Sequence, residues 1–417
     1  MNAFNFQNQH LYAESVPVSD LMNLYGSPLY IYSKSQIEFN WKIFEKSFGE
    51  HPHLICYAVK ANSNLAVLNI LANLGSGFDI VSLGELERVI ASGGDPGKCV
   101  FSGVAKTENS IRKALEYGIY CFNVESEDEL DRIESVASTL KVQAPISIRV
   151  NPDVDAKTHP YISTGLTENK FGVSVGVALS MYKKAHLSGH LDVCGLDYHI
   201  GSQITDLSPF IEALERALDL IEELKLENID LDHIDIGGGV GVSYDQEKII
   251  IIEDYINTVI SKVGSMKILA EPGRSIVGNA GIFVTKVEYL KQNDMKSFAI
   301  VDGAMNDLIR PALYESYHKA VLIEDNSKGI TDSWDIVGPV CETSDFLAKG
   351  RKLTLEKGDY IAIMTAGAYG FVLSSNYNSR PRVPEVMVSE NSHSLVRKRE
   401  TIESLFENET IFKDEVN

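Results

Sequence analysis

The stretch HLICYAVKAN, residues 53–62, begins as a mostly apolar run and then reaches a lysine. The run from Leu54 to Val59 does not alternate apolar with polar residues, which predicts a strand buried on both faces. Lys60 follows at its end. A lysine in such a position ordinarily snorkels, with its stem on the core and its ammonium group in water. The other interpretation is that Lys60 is held at the strand end for amine chemistry, and the rest of the sequence must decide between the two.

Similar apolar runs recur along residues 53–275 and alternate with amphipathic stretches. In PFIEALERALDLIEELKL, residues 209–226, the apolar residues have helical spacing. Strands that alternate with helices form a parallel sheet, and eight such repeats are typical of a (β/α)8 barrel, with an open doubly wound sheet as the alternative. The eight predicted strands are residues 54–60, 77–82, 99–104, 119–125, 145–151, 193–201, 231–239 and 267–273.

After residue 280 the long amphipathic stretches disappear. The strand-like segments there are GIFVTKVEYLK (281–291), KSFAIVDGAM (296–305), SWDIVGPVCETSDFLA (333–348), YIAIMTAGAYG (360–370) and EVMVSENSHSLVRKRE (385–400). We therefore predict an α/β chain in which a barrel over residues 36–280 is followed by a mainly β domain over residues 281–417. The strand-like SPLYIYS (27–33), within an N-terminal segment of residues 1–35, is expected to join that β domain.

Composition excludes several classes of function. The net charge of −20 over 417 residues would repel nucleic acids and anionic membranes, and no basic run offsets it. No signal peptide and no apolar run of membrane-spanning length is recognisable. The cysteines are odd in number and lack CxxC spacing, so we expect a reducing cytoplasm, no disulfide framework and no metal site. They are Cys56, Cys99, Cys121, Cys194 and Cys341.

Polar and glycine-rich residues follow several of the predicted barrel strands. They include Lys60, Asn151, the run from His199 to Ser202, Gly237 to Gly239, and Glu271 to Arg274. In a (β/α)8 barrel the carboxyl ends of the strands share one mouth, where catalytic groups gather. Simple snorkelling of Lys60 does not predict this grouping.

The chemistry of that mouth points to pyridoxal phosphate. The GGGVG sequence at 237–241 lets backbone N–H groups approach an anion, and it ends the seventh predicted strand, near which barrel phosphate sites often lie. Lys60 would hold the cofactor's aldehyde, Glu271 would keep its pyridine nitrogen protonated, and His199 would lie against its ring. A capping role for Glu271 and a packing role for His199 are the alternatives.

Several motifs resemble one family of pyridoxal-phosphate enzymes. They are YAVKANSN, HIGSQ, GGGVG, EPGR, MNDLIRPALY, GPVCETSDFLA and GAYGFVLSSNYNSRPR. From SPLYIYS to EVMV the chain resembles the diaminopimelate decarboxylase family, within the alanine-racemase-like, fold-type III decarboxylases. Leu83 stands where the family usually has glycine, and Phe371 to Leu373 also differ from the residues that are most common in the family. The resemblance implies decarboxylation of meso-2,6-diaminopimelate to L-lysine.

The resemblance also implies roles for individual residues. Lys60 and Cys341 would be catalytic, with Cys341 donating the proton that replaces carbon dioxide. The cofactor would be held by Lys60, His199, Ser202, Gly237, Gly238, Gly239, Glu271, Pro272, Gly273, Arg274 and Tyr369. The substrate would be bound by Arg274, Arg310, Tyr314, Glu342 and Tyr369. In this family Cys341 and Glu342 come from the partner subunit, which implies a homodimer with shared active sites.

Three other functions share parts of this pattern. A sibling decarboxylase would act on ornithine, arginine or lysine. An amino-acid racemase would keep the lysine but would use a second base across the ring instead of the Cys-Glu pair. A cofactor-carrying binding protein would resemble the barrel alone.

Overall fold

In the computed structural model, residues 2–155, 169–325 and 328–412 are described. They divide into two compact units. Residues 36–279 form the barrel unit, and residues 2–35 together with the residues after 279 form the β unit.

The chain begins in the β unit. Strands β1 (Phe4–Gln7), β2 (His10–Ala13) and β3 (Val16–Pro17) form a small antiparallel sheet. Helix α1 (Val18–Tyr25) and strand β4 (Leu29–Ser33) follow, and every residue of β4 is buried. The sequence predicts β4 but neither the small sheet nor α1, because their short runs carry no clear periodicity.

Eight parallel strands close the barrel, which confirms the predicted fold class. They are β5 (His53–Ala58), β6 (Gly77–Ile80), β7 (Cys99–Phe101), β8 (Cys121–Val124), β9 (Ala144–Arg149), β10 (Leu191–Asp197), β11 (His233–Asp235) and β12 (Lys267–Ala270). All eight predicted strands occur, and all eight end earlier than predicted. The residues beyond each end leave the hydrogen-bonded ladder and turn into the loops of the mouth. Lys60 is therefore not on a strand but in a single 3₁₀ turn, Val59–Ala61.

Helices surround these strands. They are α2 (Lys34–Phe48), α3 (Leu65–Asn73), α4 (Leu83–Ala91), α5 (Glu108–Tyr117), α6 (Glu127–Leu140), α7 (Val175–His186), α8 (Ser208–Leu226), α9 (Ile252–Val263) and the short α10 (Arg274–Val277). Ser82, Thr107 and Ser126 cap α4, α5 and α6 by accepting a backbone N–H three residues on. Such caps satisfy N–H groups that a helix leaves unpaired at its start. None of the described helices combines the length and the hydropathy needed to cross a membrane.

The remaining strands complete the β unit. They are β13 (Gly281–Gln292), β14 (Ser297–Val301), β15 (Ala320–Leu322), β16 (Ile330–Val337), β17 (Phe346–Leu355), β18 (Tyr360–Ile363), β19 (Glu385–Ser389) and β20 (Ser392–Arg397), with helix α11 (Arg310–Tyr314). The main sheet has the order β17-β16-β14-β13-β4-β19-β20. Strand β4 pairs antiparallel with β13 and parallel with β19, as predicted for the N-terminal strand.

Two of the predicted β-unit segments each prove to contain parts of two strands. Residues 333–348 hold the end of β16 and the start of β17, and residues 385–400 hold the β19-β20 hairpin. Both segments are strand-like along their length, so hydropathy alone does not locate the reversal. Leu29, Ile31, Ile282, Val284 and Val386 lie together in the core of this unit.

Candidate active site

Lys60 reaches a buried carboxylate. Its Nζ donates a hydrogen bond to Oδ2 of Asp79, on β6, at 2.6 Å. The Asp79 side chain is fully buried, whereas that of Lys60 is 35% exposed. The other oxygen of Asp79, Oδ1, has no hydrogen-bond partner among the described residues. A snorkelling lysine directs its ammonium group into water, so the ion pair with Asp79 favours the second interpretation of Lys60.

The glycine turn after β11 is packed too closely for any side chain. A Cβ at Gly237 would lie 2.6 Å from the carbonyl oxygen of Tyr198, and one at Gly238 would lie 2.2 Å from that of Glu271. Gly239 has φ +103°, a backbone conformation that residues with a Cβ rarely adopt. The N–H of Gly237 is bound by Asp235 Oδ1 at 2.9 Å. The turn is thus fixed by close packing and by a hydrogen bond, and it has no space for a side chain at Gly237 or Gly238.

His199 is fixed as a neutral imidazole. The backbone N–H of Gly238 donates to its Nδ1 at 3.1 Å, so Nδ1 is an acceptor and the proton of the neutral ring is on Nε2. Burial and the nearby cation of Arg149 hold the pKa of His199 well below its ordinary value. A neutral, oriented ring beside the glycine turn can lie against a planar ligand without adding charge.

Three carboxyl groups meet at the carboxyl ends of β10, β11 and β12. Oxygens of Asp197, Asp235 and Glu271 lie within 4.8 Å of one another, and all three side chains are buried. Burial, followed by the charge of Asp235, raises the pKa of Glu271 well above its ordinary value. Burial also raises the pKa of Asp197 to about 7, against the opposing effect of Arg149. Without a bound cation or base, the cluster therefore retains protons at neutral pH.

Asn123 and the EPGR segment complete the barrel mouth. Asn123 Nδ2 donates to Glu271 Oε1 at 3.3 Å. The buried Arg274 donates to Ser202 Oγ at 3.0 Å and to the hydroxyl of Tyr244 at 2.6 Å. Close to the Lys60 turn, the carbonyl of Pro272 accepts the N–H of Ala58 at 3.2 Å, and a Cβ at Gly273 would lie only 3.0 Å from the Cβ atoms of Ala58 and Ala61.

The mouth thus unites the barrel residues predicted from the sequence. It also contains Asp79, Asn123, Asp197 and Asp235, which the sequence analysis missed. A signal was available for three of them, because each aspartate lies within an otherwise apolar strand run: GFDI, GLDY and HIDI. A charged residue is rarely buried unless it is paired or functional, so the sequence already marks these three aspartates as candidate site residues.

In the β unit, α11 carries Arg310 and Tyr314. Arg310 is buried, and its Nη2 donates to Ser316 Oγ at 3.2 Å. Its Nε donates to Nε2 of His318 at 3.4 Å, and His318 Nδ1 lies 2.9 Å from the carbonyl of Met364. Donation from Nδ1 to that carbonyl leaves Nε2 as the acceptor, so both contacts agree on one tautomer. These contacts fix the orientation of the guanidinium group.

Cys341 and Glu342 lie in the connection between β16 and β17, and both are exposed. Two neighbours hold them. Asn378 accepts the backbone N–H of Cys341 at 2.9 Å, and the Tyr377 hydroxyl donates to Glu342 Oε1. The sequence analysis did not select Tyr377 or Asn378, since nothing in their local pattern indicates a contact across more than thirty residues.

Tyr369 is distinguished by its backbone. Its φ is +54°, in the left-handed region that is costly for a bulky side chain. The residue follows β18, in a loop whose next residue, Gly370, lies against the carbonyl of Ala366 and the ring of Tyr30. Such strain persists where the surrounding structure holds a residue in place, and it often marks functional positions.

Comparisons with known proteins show which family this chain resembles. Residues 34–278 match the family model of the pyridoxal-dependent decarboxylase, pyridoxal binding domain. The diaminopimelate decarboxylase of Vibrio cholerae is 55% identical, and the match covers 99% of this chain and 100% of the relative. That of Pseudomonas aeruginosa is 52% identical, with 99% of both chains covered. A crystal structure of diaminopimelate decarboxylase from Helicobacter pylori complexed with L-lysine has a TM-score of 0.91 and 44% identity, and it covers 94% of this chain and 99% of its own.

Proposed function

The chain belongs to the diaminopimelate decarboxylase family, and from that premise we propose which of its residues carry the reaction. The enzyme removes carbon dioxide from diaminopimelate to give lysine, with pyridoxal phosphate as cofactor. The observation that carries the assignment of residues is the pairing of Lys60 with a buried carboxylate, in the same mouth as the buried Glu271.

The residues of the mouth fit the cofactor. Pyridoxal phosphate has an aldehyde, a phosphate and a basic ring nitrogen, and it supplies a ring that accepts the electrons left by decarboxylation. Lys60 offers the amine for the aldehyde. The turn of Gly237, Gly238 and Gly239, which carries no side chain that would keep a ligand away from the backbone, is assigned to the phosphate, with Ser202 and Arg274 also assigned to the cofactor. Glu271 offers a carboxyl group for the nitrogen, and His199 offers a neutral ring face.

The carboxyl cluster explains how Glu271 would hold a proton at the ring nitrogen. Its raised pKa means that, alone, the cluster keeps its protons. A basic nitrogen beside Glu271 can take one of them, and the protonated ring then faces a carboxylate of opposite charge. Asp235 increases this effect, because its charge is the largest cause, apart from burial, of the raised pKa of Glu271. Asn123 Nδ2 keeps Oε1 of Glu271 oriented.

We assign the binding of the substrate's far end to a group of positively and negatively charged side chains. Diaminopimelate carries an amine and a carboxylate at each end, and only one end reacts. The planar guanidinium groups of Arg274 and Arg310 can each donate two parallel hydrogen bonds to the far carboxylate. Glu342 supplies an anion for the far ammonium group, and Tyr314 supplies a hydroxyl. Tyr369 contacts both cofactor and substrate in this assignment. We propose that the D-configured centre of the meso isomer reacts while the L-configured end fills this set.

We propose that the active sites are shared in a homodimer. Cys341 and Glu342 are exposed on their own chain, and their exposure suits residues that serve a partner subunit. Cys341 Sγ would deliver the proton to the carbon that has lost carbon dioxide. Tyr377, by its hydrogen bond, would orient Glu342 beside it.

We also propose that the enzyme works in the cytoplasm. Its five cysteines are free thiols, and four of them are buried. Free thiols persist in the reducing cytoplasm and are oxidised in secreted proteins.

A panel assay tests the substrate. Carbon dioxide release is measured with meso-diaminopimelate, ornithine, arginine and lysine. Only meso-diaminopimelate should react efficiently, because a site built for a polar group rejects an analogue that lacks it by about 10⁴-fold or more. If ornithine, arginine or lysine reacts faster, the substrate assignment is wrong, and the pyridoxal-phosphate decarboxylase assignment alone survives.

A complementation experiment tests the shared site. Lys60→Ala and Cys341→Ala subunits are each inactive, are mixed under conditions that exchange subunits, and are assayed together. Random exchange makes half of the dimers mixed, each with one intact site of two, so about a quarter of wild-type activity should return. Cys99→Ala, which removes a buried thiol outside the site, is the matched control for Cys341→Ala and should be active without mixing. Absence of recovery, with mixed dimers demonstrated by mass, would show that each site is built within one chain.

A further inference from the structure

A second group of chemically reactive side chains lies inside the barrel, directly below the residues of the mouth. Cys121 and His233 are the first residues of β8 and β11, and Cys194 lies in the middle of β10. Their two sulfur atoms and one imidazole nitrogen are within 4.8 Å of one another. None of these residues takes part in the decarboxylation described above.

His233 is the residue that packing does not explain. Its ring is fully buried, and neither Nδ1 nor Nε2 has a hydrogen-bond partner in the described structure. Buried polar groups are almost always hydrogen-bonded, since an unpaired one loses its solvation without compensation. The ring also depends on a glycine, because a Cβ at Gly195 would lie 2.1 Å from its Nε2. The barrel thus makes room for an imidazole without giving it a partner.

Two thiols stand beside this unpartnered ring. Cys194 Sγ donates to the carbonyl of Ile146 at 3.1 Å, and Cys121 Sγ lies 3.8 Å from Asn123 Oδ1. Since neither nitrogen of the His233 ring is hydrogen-bonded among the described residues, a neutral ring has a lone pair available on one of them. Two sulfur ligands and one neutral imidazole form a donor set that favours Zn²⁺ and other thiophilic ions.

We propose that Cys121, Cys194 and His233 form a metal site that binds one thiophilic divalent cation, with Zn²⁺ as the representative ion. The charges balance, because two thiolates neutralise a divalent cation and leave a neutral complex in the barrel interior. A water molecule or another neighbouring group would complete the usual four ligands of Zn²⁺.

The site also has a route of entry. Tyr120 and Lys267 cover it, and both are only partly buried. The Tyr120 ring contacts His233 edge-on at 5.4 Å, and Lys267 Nζ donates to the Tyr120 hydroxyl at 3.1 Å. An ion would therefore need to displace one side-chain pair, and not a strand, to reach the sulfur atoms.

Binding of the metal ion would release protons from the two thiols. Each thiol must lose one proton to become a ligand, and the neutral imidazole loses none. The other titratable groups near the thiols are Tyr120, Cys56, Asp232 and Lys267. Binding of one ion should release two protons, whereas a histidine and carboxylate site would release fewer.

The test uses the holoenzyme, with pyridoxal phosphate bound, kept reduced and carrying Cys341→Ser to remove the exposed thiol. Zn²⁺ is titrated against a chromophoric chelator, and calorimetry in buffers of different ionisation enthalpy counts the protons. We expect one Zn²⁺ per chain, two protons released per ion and a higher melting temperature, because the ion binds the folded chain. Absence of stoichiometric binding at neutral pH overturns the proposal, and so does a different proton count.

Variants locate the ion. Cys121→Ser and His233→Phe should each weaken Zn²⁺ binding by more than ~100-fold, since losing a ligand costs more than losing an outer partner, which costs about 10–100-fold. Cys99→Ser, at a buried cysteine on β7 outside the group, should bind as the parent does. Unchanged affinity in Cys121→Ser overturns the proposal. If the variants do not fold, Cd²⁺ added to the parent decides by its sulfur-to-metal absorbance, which requires thiolate ligands and would be absent from an oxygen site.

Discussion

The packing of Gly238 gives the sharpest prediction about the active site. In Gly238→Ala, the new Cβ would lie 2.2 Å from the carbonyl oxygen of Glu271, although real Cβ atoms do not come within 3.0 Å of other heavy atoms. Both partners are backbone-anchored, so either the glycine turn or the end of β12 must move by about 1 Å. Either movement displaces a group assigned to the cofactor. A misplacement of this size can reduce a rate by ~100-fold, and overpacking costs about 1–3 kcal/mol of stability.

The assay for Gly238→Ala combines three measurements. The kcat/KM for diaminopimelate should fall by ~100-fold, cofactor affinity should weaken, and the urea midpoint should decrease. The matched control is Gly176→Ala, in the first turn of α7, where a Cβ meets nothing within 4 Å. Wild-type kcat/KM in Gly238→Ala would refute the conclusion that this contact fixes the site. Equal losses in both variants would assign the effect to glycine substitution in general.

Three further predictions follow from the assigned roles. Lys60→Ala should retain no cofactor after borohydride reduction, and mass spectrometry that finds the label on another lysine would contradict its role. Glu271→Gln should lose ~100-fold or more in kcat with cofactor occupancy largely kept, since an amide cannot hold a proton at the ring nitrogen; an unchanged kcat would count against Glu271. Arg310→Ala should lower kcat/KM for diaminopimelate by roughly 10- to 100-fold through a higher KM, because charged hydrogen bonds contribute about 1.5–3 kcal/mol; a changed cofactor spectrum with normal KM would move Arg310 out of the substrate site.

The sequence predicted the barrel well because its signal is local and repeated. Each of the eight strands is a short apolar run followed by a loop, and all eight were located. Their ends were placed too late for a physical reason. At Ile200 and Gly237 the chain is still buried, although it has already left the strand ladder to form the mouth. Hydropathy reports burial, and it does not report which hydrogen bonds the backbone makes.

Contacts between distant residues were the part that the sequence could not supply. Asp79 is nineteen residues from Lys60 and becomes its partner only because β5 and β6 are neighbours in the barrel. Spacing rules likewise give no sign that cysteines meet in the fold, since no two cysteines are close in sequence. Cys121, Cys194 and His233 converge only when the strands close into a cylinder, and no short motif can record that convergence.

The position of β4 between β13 and β19 has a consequence for the newly made chain. On the ribosome, the barrel can close once β12 has emerged to pair with β5. Strand β4 leaves the exit tunnel far earlier, yet its parallel neighbour β19 begins only at Glu385. At about 5–20 residues per second, this apolar edge waits roughly half a minute for its last partner. A chain interrupted after β13 but before residue 385 therefore displays one unpaired, apolar edge of β4, which makes such truncated products targets for chaperones and proteases.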